Sequence, residues 1–162
     1  MTQPTISTAD LCDEHADQLE VCETEFKCYG AIPSFKGAVS TIQCFEDNSR
    51  VKEAVEGPGD GRVLVVDGGG SRRRALLGDK LAAAAVRNGW AGVIIHGSLR
   101  DSRELNTMAI GIRALGAIPL RSDKRGKGER DVPIRFGGIS FKPGDYVYAD
   151  EDGVVVARAP LS

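Results

Sequence analysis

Two short segments of the chain carry residue types that can bind a small anion and a metal ion. The first is Gly78-Asp79-Lys80-Leu81, at the predicted start of an alanine-rich helix. The free N–H groups at such a helix start point out of its positive end and suit a carboxylate or a phosphate. Gly78 allows a ligand to approach the backbone closely. Because most helix starts bind only water, this segment is weak evidence when it is taken alone.

The second segment begins at Arg100-Asp101. Arg100 can hold a carboxylate through two parallel hydrogen bonds, and Asp101 offers the oxygen ligands that Mg²⁺ or Mn²⁺ prefers. An alternative stays open, because Asp101 and Glu104 also have the spacing of a capping box at the start of a short helix. His96, four residues before Arg100, is interpreted as a satisfied histidine at a strand end and not as a catalytic base.

The elements that must position these residues form a strand, a helix and a second strand. The apolar runs 63–66 and 92–95 are typical of buried strands, and residues 79–88 between them predict a helix. Such a unit makes a right-handed crossover with parallel strands. The carboxyl ends of both strands then lie at one edge of the sheet, where α/β proteins bind ligands. The helix start at Asp79 and the pair Arg100-Asp101 are therefore expected to lie close together.

The remaining pattern predicts a single α/β domain over residues 1–162 with added antiparallel strands. A helix is predicted from Ser7 or Thr8 to about Gln18, a strand over 35–45, and a helix over 49–56 that Glu46, Asp47 and Asn48 cap. An apolar segment over 109–115 follows the second buried strand. Four short strands are predicted over 132–136, 139–141, 145–149 and 154–157, and the turns between them join antiparallel strands.

The glycine-rich turn at residues 67–71 (DGGGS) has neither the glycine spacing of a dinucleotide-binding fingerprint nor that of a P-loop. A dinucleotide fingerprint starting at Gly68 needs a glycine at the position of Arg73, and no P-loop sequence follows. The four cysteines, Cys12, Cys22, Cys28 and Cys44, have no zinc-site spacing and are interpreted as reduced thiols packed as small apolar residues.

The charge of the chain is distributed unevenly. Residues 1–60 carry 4 Lys or Arg against 12 Asp or Glu, and residues 61–135 carry 15 against 7, a net charge of +8. No aromatic residues are interleaved with the basic cluster, so a small anionic ligand is favoured over nucleic acid, and an acidic partner surface stays open. The polar segment 121–130, with five Lys or Arg, is predicted to be a solvated surface loop.

Apolar runs long enough to cross a membrane are absent from the sequence, and the first residues do not resemble a secretory signal. We therefore expect a cytoplasmic protein without a membrane partner.

The sequence resembles the RraA-like family, which includes the regulator of ribonuclease E activity A and the 4-hydroxy-4-methyl-2-oxoglutarate aldolases. The resemblance extends from about residue 8 to 156 and rests on the segments CFEDN (44–48), VLVVDGGGS (63–71), ALLGD (75–79), GWAG (89–92), RD (100–101), GI (111–112) and FGG (136–138). It implies a swivelling β/β/α fold, a homotrimer, and a site near a subunit boundary.

The resemblance also implies a function for the two segments. Gly78, Asp79, Lys80, Leu81 and Arg100 are expected to hold pyruvate, Asp101 a divalent cation (Mg²⁺ or Mn²⁺), and Glu104 completes the pattern behind Asp101. Asp79 is expected to position the water that serves as base.

The implied reaction is the metal-dependent retro-aldol cleavage of 4-hydroxy-4-methyl-2-oxoglutarate, or a related 4-hydroxy-2-oxo acid, to pyruvate. Oxaloacetate decarboxylation is expected beside it, because both reactions form the enolate of pyruvate. The alternative is a protein without chemistry of its own that inhibits ribonuclease E through its surface. A methyltransferase activity, which older descriptions give to some members, is not expected, because the turn at 67–71 lacks the required glycine spacing.

Overall fold

A mixed sheet of nine strands forms the centre of the protein in a computed structural model that describes residues 6–161. The helices are α1 (Thr8–His15), α2 (Ser49–Val55), α3 (Asp79–Arg87) and α4 (Ser102–Leu105), and a 3-10 turn over Ala16–Gln18 follows α1. The strands are β1 (Leu19–Val21), β2 (Lys27–Tyr29), β3 (Phe35–Gln43), β4 (Val63–Asp67), β5 (Gly92–Leu99), β6 (Gly111–Ala117), β7 (Glu129–Arg130), β8 (Ile134–Phe136), β9 (Ile139–Phe141), β10 (Tyr146–Asp150) and β11 (Gly153–Ala157).

The strand order is β1-β11-β10-β3-β4-β5-β6-β2, with β7 paired to β3. The four central strands β3, β4, β5 and β6 are parallel, and the strands that flank them are antiparallel. The connection from β4 through α3 to β5 is the predicted crossover. The structure thereby confirms the predicted fold class, an α/β fold with a parallel core and additional antiparallel strands.

Both faces of the parallel core are covered, which explains the continuous apolar runs. Residues 63–66 of β4 have no exposed surface. Leu64 and Val66 pack against the helices, whereas Val63 and Val65 pack on the side of the hairpin β8–β9. A strand buried on both faces has no polar side to alternate with its apolar side.

Helix α3 is favoured by its alanine-rich sequence and by residues at both ends that stabilise helix termini. Asp79 is acidic in the first turn, where the helix dipole favours negative charge. Gly89 follows the C-cap with a φ of 79°, a left-handed conformation that glycine adopts without steric cost. The buried face contains Ala82, Ala84 and Ala85, whose small side chains allow the helix to lie close to the sheet.

The cysteine prediction is confirmed in part. All four cysteines are free, but only Cys22 and Cys44 are buried; Cys12 is half-buried and Cys28 is exposed. Burial, assisted by Asp67 and Asp47, raises the pKa of the Cys44 thiol to about 12. Cys44 is therefore a protonated, apolar core residue, whereas the expectation of apolar packing is wrong for Cys28.

The segment 121–130 is mostly exposed, as predicted, but it is more ordered than a solvated loop. Ser122 is buried and donates a hydrogen bond to the carbonyl oxygen of Ala75 at 2.6 Å. The N–H of Arg125 donates to Oδ2 of Asp47 at 2.7 Å, and Glu129–Arg130 pairs with β3 as β7. These bonds hold the segment against the start of α2.

Within residues 6–161, the structure contains no helix that is both long enough and apolar enough to span a membrane.

Asp150 connects the N-terminal helix to the sheet. Its carboxylate accepts hydrogen bonds from the N–H and the hydroxyl of Thr8, both at 2.7 Å, and both residues are buried. Burial alone would raise the pKa of Asp150, but hydrogen bonds from Thr8, Asp152 and Gly153 outweigh it and hold the pKa below its usual range. The ionised carboxylate therefore stabilises the folded protein at neutral pH.

Replacement of Asp150 by Asn should lower the free energy of unfolding by about 1–3 kcal/mol at pH 7, because the new NH₂ group cannot accept from Thr8. Since the folded pKa lies below the unfolded value of about 4, the stabilisation is complete above that value and is lost as the pH falls through the folded pKa. Urea unfolding at pH 7 and pH 3 measures both effects. The exposed Asp152→Asn is the control, and an Asp150→Asn deficit that is equal at both pH values would contradict the account.

Candidate functional site

The two segments singled out in the sequence meet at the carboxyl end of the parallel strands. Oδ2 of Asp101 accepts a hydrogen bond from the N–H of Asp79, the first residue of α3, at 2.8 Å. The N–H of Arg100 donates to the carbonyl oxygen of Leu77 at 2.9 Å. The predicted proximity of the helix start and the Arg100-Asp101 pair is confirmed.

Gly78 makes this approach sterically feasible. A Cβ atom at this position would lie 2.8 Å from Oδ2 of Asp101 and 3.4 Å from Nε of Arg100. The backbone of Gly78, with φ −133° and ψ −171°, is extended and accessible to any residue. The glycine is therefore required for space at the site and not for its backbone conformation.

The capping-box alternative for Asp101 and Glu104 is wrong. Asp101 does precede α4, but its backbone is left-handed, with φ 60° and ψ 38°, and its side chain makes no hydrogen bond to that helix. The carboxylate instead binds the start of α3, and Glu104 lies exposed on α4. An N-cap residue normally has an extended backbone, which aims its side chain at its own helix. The left-handed backbone of Asp101 instead points its side chain at the start of α3.

The first turn of α3 has one N–H group that is not already bonded. The N–H of Asp79 binds Asp101, and the N–H of Lys80 donates to Oδ1 of Asp79 at 2.8 Å. The N–H of Leu81 has no such partner among the described residues. A ligand carboxylate can bind Leu81 directly and can replace the Asp79 side chain at Lys80.

Arg100 faces the same space and is half-buried. Its only side-chain hydrogen bond in the described part of the chain is a long contact of 3.5 Å from Nη1 to the carbonyl oxygen of Pro119. The other guanidinium N–H groups of Arg100 are therefore available to a ligand.

A cavity of about 450 Å³ is lined by Gly78, by the start of α3 and by Arg100, and Asp101 adjoins it through its bond to the N–H of Asp79. Its wall includes six basic and two acidic side chains. The lining residues are Asn48, Lys52, Glu56, Ala75, Leu77, Gly78, Asp79, Lys80, Leu81, Ala84, Arg87, Arg100, Arg121 and Lys124. This excess of positive charge favours an anionic ligand.

Part of this wall was not foreseen from the sequence. Arg121 and Lys124 belong to the segment interpreted as a solvated loop, and Asn48 was expected to cap α2. Asn48 does stand at the N-cap, but its side chain makes no capping bond. Asp47 supplies that bond by accepting from the N–H of Ser49 at 2.9 Å. The run of basic residues in the loop could have indicated that Arg121 and Lys124 line an anion site, whereas no pattern in the sequence indicated Asn48.

His96 lies outside the cavity, on the face of the sheet that the hairpin β8–β9 covers. Its ring stacks on Phe136 with centroids 4.8 Å apart, and its Nδ1 is 3.8 Å from Oδ1 of Asp67. Nδ1 is buried without a hydrogen bond in the described structure, so the expectation of a fully satisfied histidine is wrong. Burial would raise the pKa of Asp67, but His96 and the N–H of Gly69 hold it below its usual range. His96 does not line the cavity and is therefore separate from the candidate site.

The described residues contain no group of three or more His, Cys, Asp or Glu side chains that could hold a metal ion by themselves. Asp101 uses Oδ2 to bind Asp79, which leaves Oδ1 as a ligand. Mg²⁺ commonly takes one or two protein carboxylates and fills its other positions with water and substrate oxygens. The donor set therefore fits a cation that substrate and water help to hold, and not a preformed protein cage.

Comparisons with known proteins identify the family. The family model described as RraA-like (Aldolase/RraA) matches residues 8–156. The chain belongs to the RraA-like family. A relative from Alkalilimnicola ehrlichii named "Putative 4-hydroxy-4-methyl-2-oxoglutarate aldolase" is 55% identical over 97% of this chain and 98% of its own. A relative of the same name from Laribacter hongkongensis is 53% identical over 95% and 97%.

Two solved structures of similar proteins carry different descriptions. The structure of the RNA-processing inhibitor RraA from Thermus thermophilis matches with a TM-score of 0.94 and 45% identity over 98% of this chain and 96% of that one. A Geobacillus kaustophilus structure described as S-adenosylmethionine: 2-dimethylmenaquinone methyltransferase matches with a TM-score of 0.95 and 56% identity over 96% and 97%. These matches confirm the predicted family and its fold. The names of these similar proteins describe three different activities.

Substitution of Gly78 by Ala tests the packing at the candidate site of this RraA-like protein. The added methyl group would displace the Asp101 carboxylate, so binding of oxalate in the presence of Mg²⁺ should weaken at least about tenfold, as one charge-assisted hydrogen bond is lost. Isothermal titration calorimetry measures the affinity. Gly57→Ala is the matched control, because its Cβ would meet only an ordinary contact of 3.5 Å to the carbonyl oxygen of Ala54. Equal oxalate affinity in both variants would contradict the proposed geometry.

Proposed function

We propose that this RraA-like protein catalyses the divalent-metal-dependent retro-aldol cleavage of 4-hydroxy-4-methyl-2-oxoglutarate, or of a related 4-hydroxy-2-oxo acid, to pyruvate. The observation that carries the proposal is the contact between Asp101 and the start of α3, beside Arg100 in a cavity rich in positive charge. The names of the Alkalilimnicola and Laribacter relatives support the same substrate class.

The carboxylate of the 2-oxo acid binds first in this scheme. The guanidinium of Arg100 holds it through two parallel hydrogen bonds, and the N–H groups of Lys80 and Leu81 bind from the helix start. Gly78 leaves the room that this close approach requires. The bound substrate then points its 2-oxo group towards Oδ1 of Asp101.

Asp101 holds the divalent cation through Oδ1 in our proposal, and Arg100 and Asp79 act beside it. When bound, Mg²⁺ or Mn²⁺ would withdraw electron density from the 2-oxo group and stabilise the negative charge that develops as the bond between C3 and C4 breaks. The positive charge of Arg100 acts in the same direction. Glu104 is exposed on α4, where it adds negative charge near Asp101.

Asp79 handles the proton in the proposed reaction. Its half-buried carboxylate lines the cavity, where it can orient a water molecule that accepts the proton of the C4 hydroxyl group. The C4–O group becomes a carbonyl, the electron pair of the C3–C4 bond moves to C3, and C3 then takes up a proton to give pyruvate. Loss of CO₂ from oxaloacetate forms the same enolate, so oxaloacetate decarboxylation should accompany the cleavage.

A homotrimer, with the site near a subunit boundary, is part of the proposal because the RraA-like family suggests it. Sedimentation equilibrium of the purified protein measures the subunit number directly.

A second candidate function is inhibition of ribonuclease E through the protein surface. Its support is the likeness to the RNA-processing inhibitor from Thermus thermophilis and the excess of acidic residues in positions 1–60, which can attract basic segments of a partner. The methyltransferase description of the Geobacillus protein finds less support here. The cavity wall does not include the glycine turn at 67–71, and Phe45 packs against Gly69 of that turn.

Pyruvate release tests the proposed reaction. With Mg²⁺, the protein should release pyruvate from both 4-hydroxy-4-methyl-2-oxoglutarate and oxaloacetate, and EDTA should abolish both reactions because the developing charge loses its stabilisation. A coupled lactate dehydrogenase assay measures the rate. Absence of metal-dependent release from either substrate would overturn the proposed function.

Asp101→Asn separates metal binding from local structure. The amide oxygen can still accept from the N–H of Asp79, but the negative charge that attracts the cation is lost, so kcat/KM should fall at least about a hundredfold in a folded protein. Asp131→Asn is a matched control, because Asp131 is exposed and has a similar left-handed φ of 61°. If Asp101→Asn were as active as this control, Asp101 would have no part in metal binding.

Arg100→Lys tests the grip on the carboxylate. Lysine keeps the positive charge but loses the two-pronged hydrogen bonding, so KM should rise and kcat should fall together. Arg103→Lys on the exposed side of α4 serves as the control. Steady-state kinetics that are identical in the two variants would remove Arg100 from the site.

The ribonuclease hypothesis predicts a different response to a change at the site. Asp101→Ala should abolish pyruvate release and leave inhibition of ribonuclease E intact, because the two functions would use separate surfaces. An RNA-cleavage assay with purified endonuclease measures the inhibition. Loss of both functions in this variant would show that the surfaces are not separate.

A further inference from the structure

The side chain of Asn48, in the cavity wall, is not explained by the capping of α2. It stands at the N-cap of α2 but makes no capping bond, because Asp47 binds the N–H of Ser49 instead. Its own amide turns away from α2, and Nδ2 donates to the carbonyl oxygen of Leu76 at 3.3 Å. Only 5% of the residue is exposed.

The amide oxygen of Asn48 has no hydrogen-bond partner among the described residues. The bond from Nδ2 to Leu76 fixes which end of the amide is oxygen, since a flipped amide would place two acceptors together. Buried side-chain acceptors without a donor are uncommon in native proteins, because they have lost their hydrogen bonds to water. Asn48 lines the cavity, and its Oδ1 is therefore a buried acceptor that lacks a donor in the part of the chain that the structure describes.

The charges on the cavity wall limit which kind of ligand can donate a hydrogen bond to Oδ1 of Asn48. The cavity is lined by six cations, which suit the carboxylates of a ligand: Lys52, Lys80, Arg87, Arg100, Arg121 and Lys124. Asn48 adds a neutral acceptor to this set of donors. A ligand that carries a hydroxyl group as well as its negative charges can donate to Asn48 while its carboxylates contact the cations.

We propose that Asn48 recognises the C4 hydroxyl group of the aldol substrate through Oδ1, and so selects hydroxylated 2-oxo acids over those without a hydroxyl. The proposal rests on the proposed function, and it names a specificity residue for it. Because Oδ1 is buried, the proposal requires side chains of the cavity wall to move aside when the ligand enters. The hydroxyl group donates to Oδ1 when the substrate binds, and it turns from Oδ1 to the water beside Asp79 when its proton is transferred.

A binding experiment tests the proposal without catalysis. Citramalate and methylsuccinate are unreactive dicarboxylates that differ only by a hydroxyl group. The wild-type protein should bind citramalate about tenfold more tightly than methylsuccinate, and Asn48→Ala should reduce this ratio to about one, as expected for the loss of one hydrogen bond. Isothermal titration calorimetry measures both affinities.

Asn88→Ala is the matched control. Nδ2 of Asn88 also donates to a backbone carbonyl oxygen, that of Val55, at 2.8 Å, but Asn88 does not line the cavity. This variant loses a comparable structural bond and should keep the preference for citramalate. Thermal unfolding of both variants shows whether each is folded.

A kinetic experiment distinguishes recognition of the hydroxyl from a structural effect through Leu76. Exchange of the methyl protons of pyruvate in D₂O with Mg²⁺, followed by NMR, uses only Arg100, Asp101 and the helix start. Asn48→Ala should raise KM for 4-hydroxy-4-methyl-2-oxoglutarate by about tenfold, because the bound substrate loses its hydrogen bond to Oδ1. The exchange rate should stay within about twofold of the wild type.

The outcomes separate this inference from the function on which it rests. A wild-type protein that catalyses neither cleavage nor exchange would overturn the proposed function. A wild-type protein that catalyses both, with Asn48→Ala reducing both equally, would show that Asn48 only supports the backbone at Leu76. An unchanged citramalate preference in a folded Asn48→Ala variant would likewise overturn the inference, and Oδ1 would then bind water only.

Discussion

One hydrogen bond, from the N–H of Asp79 to Oδ2 of Asp101, organises the candidate site. It joins the start of α3 to the second residue after β5, and the parallel pairing of β4 with β5 brings these two points to the same edge of the sheet. The bond requires a glycine at position 78 and a left-handed backbone at Asp101, a conformation that aspartate tolerates better than most residues. The start of α3 and Arg100 line the cavity beside this contact.

The charge of the cavity follows from where the basic residues lie in the sequence. The segment 61–135, with its net charge of +8, contributes α3, the Arg100 turn and the basic loop, and these three meet around one space. Asp79 lines this positively charged cavity, and the carboxylate of Asp101 contacts the N–H of Asp79 beside it. This positive charge attracts an anionic substrate over a long range. In our proposal, Oδ1 of Asp101 binds the cation, and the substrate contacts the same cation.

The sequence predicts the parallel unit well, because long apolar runs and an alanine-rich helix leave few other arrangements. It predicts local geometry less well where a backbone angle decides the outcome. Asp101 and Glu104 have the spacing of a capping box, and only the left-handed turn at Asp101 shows that the carboxylate binds another helix. Asn48 and Lys124 are far from Arg100 in sequence, and they reach the cavity because Asp47 holds the basic loop against α2. Contacts of this kind have no periodic signal in the sequence.

The position of the metal ion is the most direct test of this account. Crystals soaked with Mn²⁺ and oxalate, a planar analogue of the pyruvate enolate, should show an anomalous peak about 2.1–2.2 Å from Oδ1 of Asp101, near the hard-cation distances found in proteins. The oxalate should contact Arg100 and the N–H of Leu81, while Oδ2 keeps its bond to Asp79. A fully occupied Mn²⁺ peak that is coordinated elsewhere, with Asp101 free of metal, would contradict the account.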